Sequence, residues 1–181
     1  MKHTTRWIAL GVAMVVIAVG VVLATQVGGD PRADSTRSQL VGDPAPAFSV
    51  RTLDGTPLAL SDLAGRAVIV NFWNSWCAPC RAELPALKRF AARYRDDPTV
   101  AFVGIARDDP KRAIREYVKD EGIDWTVAMD PGARAALDFG TRGQPETFAI
   151  TPDGLIAAAQ IGPSTVEDLE TMLAAAQGRR R

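Results

Sequence analysis

The chain contains two cysteines, and they stand three positions apart in Trp76-Cys77-Ala78-Pro79-Cys80. A near-continuous apolar run, Ala67 to Trp73, leads into them. A stretch with Leu84, Leu87, Phe90, Ala91 and Tyr94 at helical spacing leads out. The pair therefore lies where a strand hands over to a helix. A strand this apolar must be buried on both faces, which requires a sheet with helices packed on each side. The placement also sets the chemistry. Cys77 falls at the helix N-terminus, where partial positive charge and unpaired N–H groups favour thiolate over thiol. Cys80 falls in the first turn, where it is expected to be the more buried of the two and to stay protonated until it is needed. From there it can close a small ring and release whatever is attached to Cys77.

The rest of the chain fits such a domain. Phe48 to Leu53 and Leu58 to Leu60 flank the turn residues Asp54-Gly55, which predicts an N-terminal hairpin. Ser61 to Gly65 reads as one helical turn. Pro79 to Tyr94 is the helix after the cysteines, with Pro85 expected to kink it. Thr99 to Ala106 is a second buried strand. Asp109-Pro110 reads as an N-cap and first-turn proline opening a helix to about Glu121. Trp125 to Met129 is a short strand and Gly132 to Phe139 a short helix. Thr147 to Ile150 and Leu155 to Ile161 pair across Thr151-Pro152-Asp153-Gly154. Ser164-x-x-Glu167 reads as the capping box of a last helix. The fold class expected is α/β: a central mixed sheet flanked by helices, with the 106–126 stretch as a βα-type insertion.

Outside that domain, Trp7 to Val27 carries no charge and as a helix would span about 31 Å, close to the thickness of a hydrocarbon core. Lys2 and Arg6 precede it, which puts residues 1–6 in the cytoplasm and the rest outside. The boundaries read as residues 1–6 cytoplasmic, 7–27 transmembrane, 28–41 a polar linker, 42–178 the α/β domain and 179–181 a basic tail. The rival reading of 7–27 is a cleaved signal peptide, with small residues near Ala24. Either way the domain is exported: a single-pass protein of the cell membrane in one case, a secreted one in the other.

Several chemistries are disfavoured. Basic and acidic residues number 21 each, and no basic face stands out, so nucleic-acid binding has no electrostatic support. Without Lys2 and Arg6 the exported part has a net charge of −2, too little to steer charged partners strongly. A stapling disulfide is the bland reading of two exported cysteines, but a loop of two residues constrains the unfolded chain little. A Cys-His nucleophile pair fails because the one histidine, His3, lies across the membrane. Metal binding lacks further ligands, although a thiol-based metal carrier stays open as a function of another class. No cofactor is implied, and a monomer is the default.

The sequence resembles the TlpA/ResA/CcmG type of membrane-anchored thioredoxin-like thiol–disulfide oxidoreductases, within the redoxin branch of the thioredoxin superfamily. The resemblance rests on Gly42-Asp43-Pro44-Ala45-Pro46-Ala47-Phe48, on Leu60 to Arg66, on Val70 to Pro85 with Trp76-Cys77-Ala78-Pro79-Cys80-Arg81-Ala82-Glu83, and on Gly143-Gln144-Pro145-Glu146-Thr147-Phe148. It implies a redox-active Cys77–Cys80 disulfide. It implies a cis-proline at Pro145 facing it, with Gln144 pairing to substrate backbone and Trp76 shielding Cys77 and contacting partners together with Pro79. Glu83 matches the family's acidic residue beside the cysteines and is expected to relay the proton of Cys80. Asn71 stands where cytoplasmic thioredoxins carry a buried Asp, which leaves Glu83 or water to handle protons. Peroxiredoxin chemistry is not implied, since the threonine and proline of that family's motif are Asn74 and Val70 here. The implied partners are protein thiols and disulfides, in particular apocytochrome c during cytochrome c maturation, and a membrane thiol–disulfide carrier that donates electrons. The alternative direction is a disulfide oxidase or isomerase of exported proteins.

Overall fold

A computed structural model describes Met14, Ala18 and residues 40–178. The chain divides into two units, Met1–Thr36 and Arg37–Arg181, and the fold is that of the second. The expected membrane segment 7–27 lies outside the described residues apart from Met14 and Ala18, as do residues 28–39 of the linker and the tail 179–181. Among the described residues no helix is long and apolar enough to cross a membrane.

The domain begins with a hairpin, β1 (Ser49–Thr52) and β2 (Pro57–Ala59), and a 3-10 turn at Leu60–Leu63. There follow β3 (Ala67–Trp73), α1 (Ala78–Tyr94), β4 (Val100–Arg107), α2 (Lys111–Asp120), β5 (Thr126–Asp130), α3 (Arg134–Asp138), β6 (Glu146–Ile150), β7 (Ile156–Ile161) and α4 (Val166–Ala176). The strands form one mixed sheet in the order β2-β1-β5-β4-β3-β6-β7. β3, β4 and β5 run parallel, and β6 is antiparallel to β3 and to β7. The thioredoxin-like α/β architecture read from the sequence is therefore present.

Every residue of β3 is buried, and period-two alternation splits the strand between two cores. Val68, Val70 and Phe72 join Phe139 and Phe148 on one face. Ala67 and Ile69 join Leu87 and Phe90 of α1 and Leu169, Met172 and Leu173 of α4 on the other. Trp73 continues that second face into a cluster with Cys77, Cys80, Leu84 and, from α2, Ile114. Asn71 is the one polar residue of β3, on the α1 face of the sheet. Because α1 starts five residues after β3 ends, its first turn is held directly above the strand that precedes it.

Two helix starts differ from the sequence reading, for one reason. The N-cap of α2 is Pro110, without a side-chain bond, because the Asp109 carboxylate turns back to the Ser75 N–H at 2.7 Å. The capping box of α4 is Thr165 and Asp168, one position later than Ser164 and Glu167, because the Ser164 N–H is taken by Glu83 at 2.9 Å. In both cases the residue that resembled a cap serves the surroundings of the cysteines instead.

Gly104 of β4 pairs with Asn71 and leaves room for two indoles. A Cβ built there would stand 3.0 Å from Trp73 Nε1 and 3.1 Å from Trp125 Nε1. Gly104→Ala is expected to lower stability by about 1–3 kcal/mol through overpacking, read as the midpoint of urea unfolding. Gly143→Ala, where nothing lies within 4 Å of the added atom, should stay within about 0.5 kcal/mol of the parent. Equal stability of the two variants would contradict this packing.

Candidate active site

Cys77 is the N-cap residue of α1. An N-cap side chain accepts from the N–H of the second or third helical residue. The second is Pro79, which has none to give, so the donor is Cys80, at 3.2 Å from Cys77 Sγ. The two sulfurs are joined as a disulfide, with Cα atoms 5.3 Å apart. Cys77 and Cys80 are 4% and 5% exposed, so burial does not rank them as the sequence reading expected. What covers Cys77 is the loop before β6: its Sγ lies 3.6 Å from the Gln144 carbonyl oxygen. The asymmetry between the sulfurs is one of position, with Cys77 capping the helix and Cys80 inside its first turn.

The opposite wall is the 141–145 loop. The Gln144–Pro145 peptide is cis and Pro145 is buried. Glu146, 2% exposed, holds this loop by accepting the N–H groups of Arg142 and Gly143 at 2.6 and 2.9 Å. The Pro145 carbonyl accepts the Gly162 N–H at 2.9 Å, and Arg107 Nη1 donates to Gln144 Oε1 at 3.4 Å. Trp76 does not pack into the core. At 64% exposure it presents an apolar face beside Cys77, and Pro79 is also exposed.

Behind Cys80 lies a buried polar group. Glu83, one turn along α1, is 2% exposed. Its Oε1 accepts Asn71 Nδ2 at 2.9 Å and its Oε2 accepts the Ser164 N–H at 2.9 Å. Asn71 Nδ2 also donates to Thr147 Oγ1 at 3.0 Å. Burial pushes the Glu83 carboxyl up to about 7, against the two hydrogen bonds, which favour its charged form. Glu83 and Cys80 line one small cavity with Asn71, Trp73, Leu84 and Tyr117, of about 10 Å³, close to what a single water occupies.

The structure thus brings together Cys77, Cys80, Gln144, Pro145 and Glu83, with Trp76 and Pro79 at the rim. Sequence reading missed Asp109, Asn74, Ser75, Arg81 and Glu146. Asp109 was legible in principle. Trp73 pairs with Ala106, so residues just past the two strand ends must meet. Among the described residues, the buried side-chain atoms without a hydrogen-bond partner are Asn71 Oδ1, Asn74 Oδ1, Asp109 Oδ1 and Ser164 Oγ. All belong to the residues around the cysteine pair, and such exceptions gather at functional sites.

Comparison with known proteins agrees with this geometry. Residues 40–173 match the family model described as Redoxin. The chain is 33% identical over 141 residues to the thiol-disulfide oxidoreductase ResA of Bacillus thuringiensis (strain Al Hakam), covering 78% of this chain and 80% of that protein. It is 34% identical over 138 residues to a thiol:disulfide interchange protein DsbE homolog of Paracoccus denitrificans (strain Pd 1222), covering 75% and 74%. A solved structure of a thiol:disulfide interchange protein of the thioredoxin family from Chlorobium tepidum TLS superposes with a TM-score of 0.64 at 33% identity, covering 77% of this chain and 97% of that one.

The raised Glu83 pKa makes stability depend on pH with a defined sign. Between the ordinary value of 4.5 and about 7, the folded protein keeps a proton that the unfolded chain has lost. Stability therefore falls as pH rises through this window and levels off above it, by about 3 kcal/mol in all from this group. Glu83→Gln should remove that part of the slope. Urea unfolding of both proteins at pH 5 and pH 8 checks it; parallel pH profiles would contradict the buried, proton-holding carboxyl.

Proposed function

This chain belongs to the Redoxin family and is a thiol–disulfide oxidoreductase with a Cys77–Cys80 pair, and from that premise we propose that it reduces protein disulfides outside the cytoplasm. The observation that carries the reading is the placement of Cys77 Sγ: at the cap of α1, bonded by the Cys80 N–H, opposite the backbone of Gln144. A thiolate there is stabilised by the helix terminus and by that N–H. The extended backbone of a substrate peptide adds to Gln144 as a short strand, with Trp76 and Pro79 as the apolar rim it lies on.

The reaction starts from the dithiol. The Cys77 thiolate attacks one sulfur of the substrate disulfide, a new S–S bond joins enzyme and substrate, and the released substrate thiolate takes a proton from solvent. The Cys80 thiol then gives its proton to Glu83, directly or through one water in the cavity they share. The Cys80 thiolate attacks Cys77 Sγ, and the second substrate sulfur leaves as a thiolate that is protonated in turn. Two electrons have passed to the substrate, and the enzyme ends as the Cys77–Cys80 disulfide. A carboxyl with a pKa of about 7 suits this work, since near neutrality it can take a proton and return it. Asn71 and the Ser164 N–H hold it in place without themselves titrating. Re-reduction falls to a membrane thiol–disulfide carrier, with segment 7–27 keeping the domain beside it. The resemblance to the TlpA/ResA/CcmG type supports apocytochrome c haem-attachment cysteines, or a partner that serves them, as the substrate.

Cys80→Ala should leave Cys77 covalently joined to its partner, and mass spectrometry of the trapped species identifies it. The reduction potential of the pair decides direction. A reductase requires a value at or below about −200 mV, and one near −120 mV, that of a strong oxidant, would overturn the proposal. Glu83→Gln should slow resolution of the mixed disulfide by about tenfold or more, measured by single-turnover mixing; an unchanged rate would remove Glu83 from the mechanism.

A further inference from the structure

The reaction at Cys77 and Cys80 leaves one nearby buried carboxylate without a part. Asp109 lies two residues past the end of β4 and is 8% exposed. The chain reverses at Asp108, whose φ of 45° lies in the left-handed region. Asp108 is anchored there by its N–H to the Asp130 carbonyl at 3.0 Å and by its Oδ1, which accepts the Gly132 N–H at 3.1 Å. The reversal brings Asp109 against the turn between β3 and α1. Its Oδ2 accepts the Ser75 N–H at 2.7 Å and lies 3.5 Å from Asn74 Nδ2.

The same turn is held from its other side. The Ser75 carbonyl accepts Arg81 Nε at 2.8 Å, and the Arg81 guanidinium carbon sits 5.3 Å from the centre of the Tyr117 ring. Asn74 Nδ2 donates to the Arg107 carbonyl, and the Asn74 carbonyl accepts the Cys77 N–H at 3.3 Å. Ser75 thus has an anion on its N–H and a cation on its carbonyl. Asp109 stands just before the N-cap of α2 and Tyr117 lies in its second half, so the inserted helix acts on both sides of this arrangement. Beyond the turn the next constraint is Cys77 itself.

We propose that Asp109 is a positioning residue for Cys77: with Arg81 it clamps Ser75, and so fixes the turn that aims Sγ of Cys77 at the N–H of Cys80. The proposal rests on Cys77 being the attacking sulfur, and it deepens that reading by giving the inserted helix a part in the chemistry. Two effects of removing Asp109 have opposite signs, which makes the proposal testable. Loss of a nearby negative charge alone would favour the thiolate and move the titration of Cys77 to lower pH. Loss of the clamp takes Sγ away from the helix terminus and moves it to higher pH.

The experiment is the rate of iodoacetamide alkylation of reduced full-length protein between pH 5 and pH 9, with Cys77 read by mass spectrometry, for the parent, Asp109→Ala and Asp109→Asn. The clamp predicts that Asp109→Ala shifts the Cys77 profile upward by about half a pH unit or more and slows disulfide exchange at pH 7 by about threefold, the loss of thiolate that such a shift corresponds to. Asp109→Asn keeps an acceptor for the Ser75 N–H and should restore most of that loss. Where Asp109→Ala does not fold, Asp109→Ser supplies a residue suited to a helix start but too short to reach Ser75, and the same shift is expected. A profile that is unchanged or moves downward, with thermal stability alone reduced, overturns the proposal. A parent profile centred at the free-thiol value of about 8.5 would instead overturn the reading of Cys77, and the clamp with it.

Discussion

The N-cap bond from the Cys80 N–H to Cys77 Sγ is the contact on which the rest of the site depends. It exists because three local facts coincide. β3 ends at Trp73 and α1 begins at Ala78, so the sulfur is delivered to a helix start by a strand buried on both faces. Pro79 withholds its N–H, which directs the interaction to residue 80 and hence to the backbone of the second cysteine. The loop carrying Gln144 and Pro145 closes over Cys77 from the neighbouring strand, β6. Each part is ordinary; their conjunction sets a sulfur at a helix start, where a thiolate is electrostatically favoured, under the cover of the Gln144 backbone.

Beneath this contact the sheet carries a polar connection where a uniform apolar core would be cheaper. Asn71, Thr147, Glu83 and the Ser164 N–H link β3, β6, α1 and the start of α4. Burying a carboxylate is unfavourable unless its charge is compensated, and here compensation stops short. Two hydrogen bonds meet Glu83, no cation among the described residues does, and its pKa stays raised at about 7. That incomplete compensation is what the proposed proton transfer near neutrality would draw on, at a cost in stability above that pH. The same trade is visible in the buried oxygens of Asn71, Asn74, Asp109 and Ser164 that lack partners.

Much of this was legible in the residues. β3 spans Ala67–Trp73 as its apolar run requires, and the hairpin, the inserted helix and the final helix fall within a residue or two of their turn and cap signals. The sequence reading went astray where a short polar residue had two uses. Asp109 and Ser164 carry the local pattern of helix caps, and propensity rules know only the local partner. The tertiary partners, Ser75 and Glu83, lie 34 and 81 positions away, and the register of β3 against β4 is needed to see the first of them. Relative burial of the two cysteines was also misjudged, since the cover over Cys77 comes from residue 144, 67 positions on. Trp76 shows the limit of composition: a tryptophan beside a reactive group could pack inward, but its neighbours leave it exposed.

The most direct test of this account is a titration of both thiols in the reduced protein, following ¹³Cβ-labelled cysteine by NMR. The account predicts that Cys77 titrates below the free-thiol value of about 8.5 and Cys80 above it, with the Cys80 resonance also reporting a step near 7, where Glu83 ionises. Two midpoints near 8.5, and no Glu83-linked step at Cys80, would contradict it.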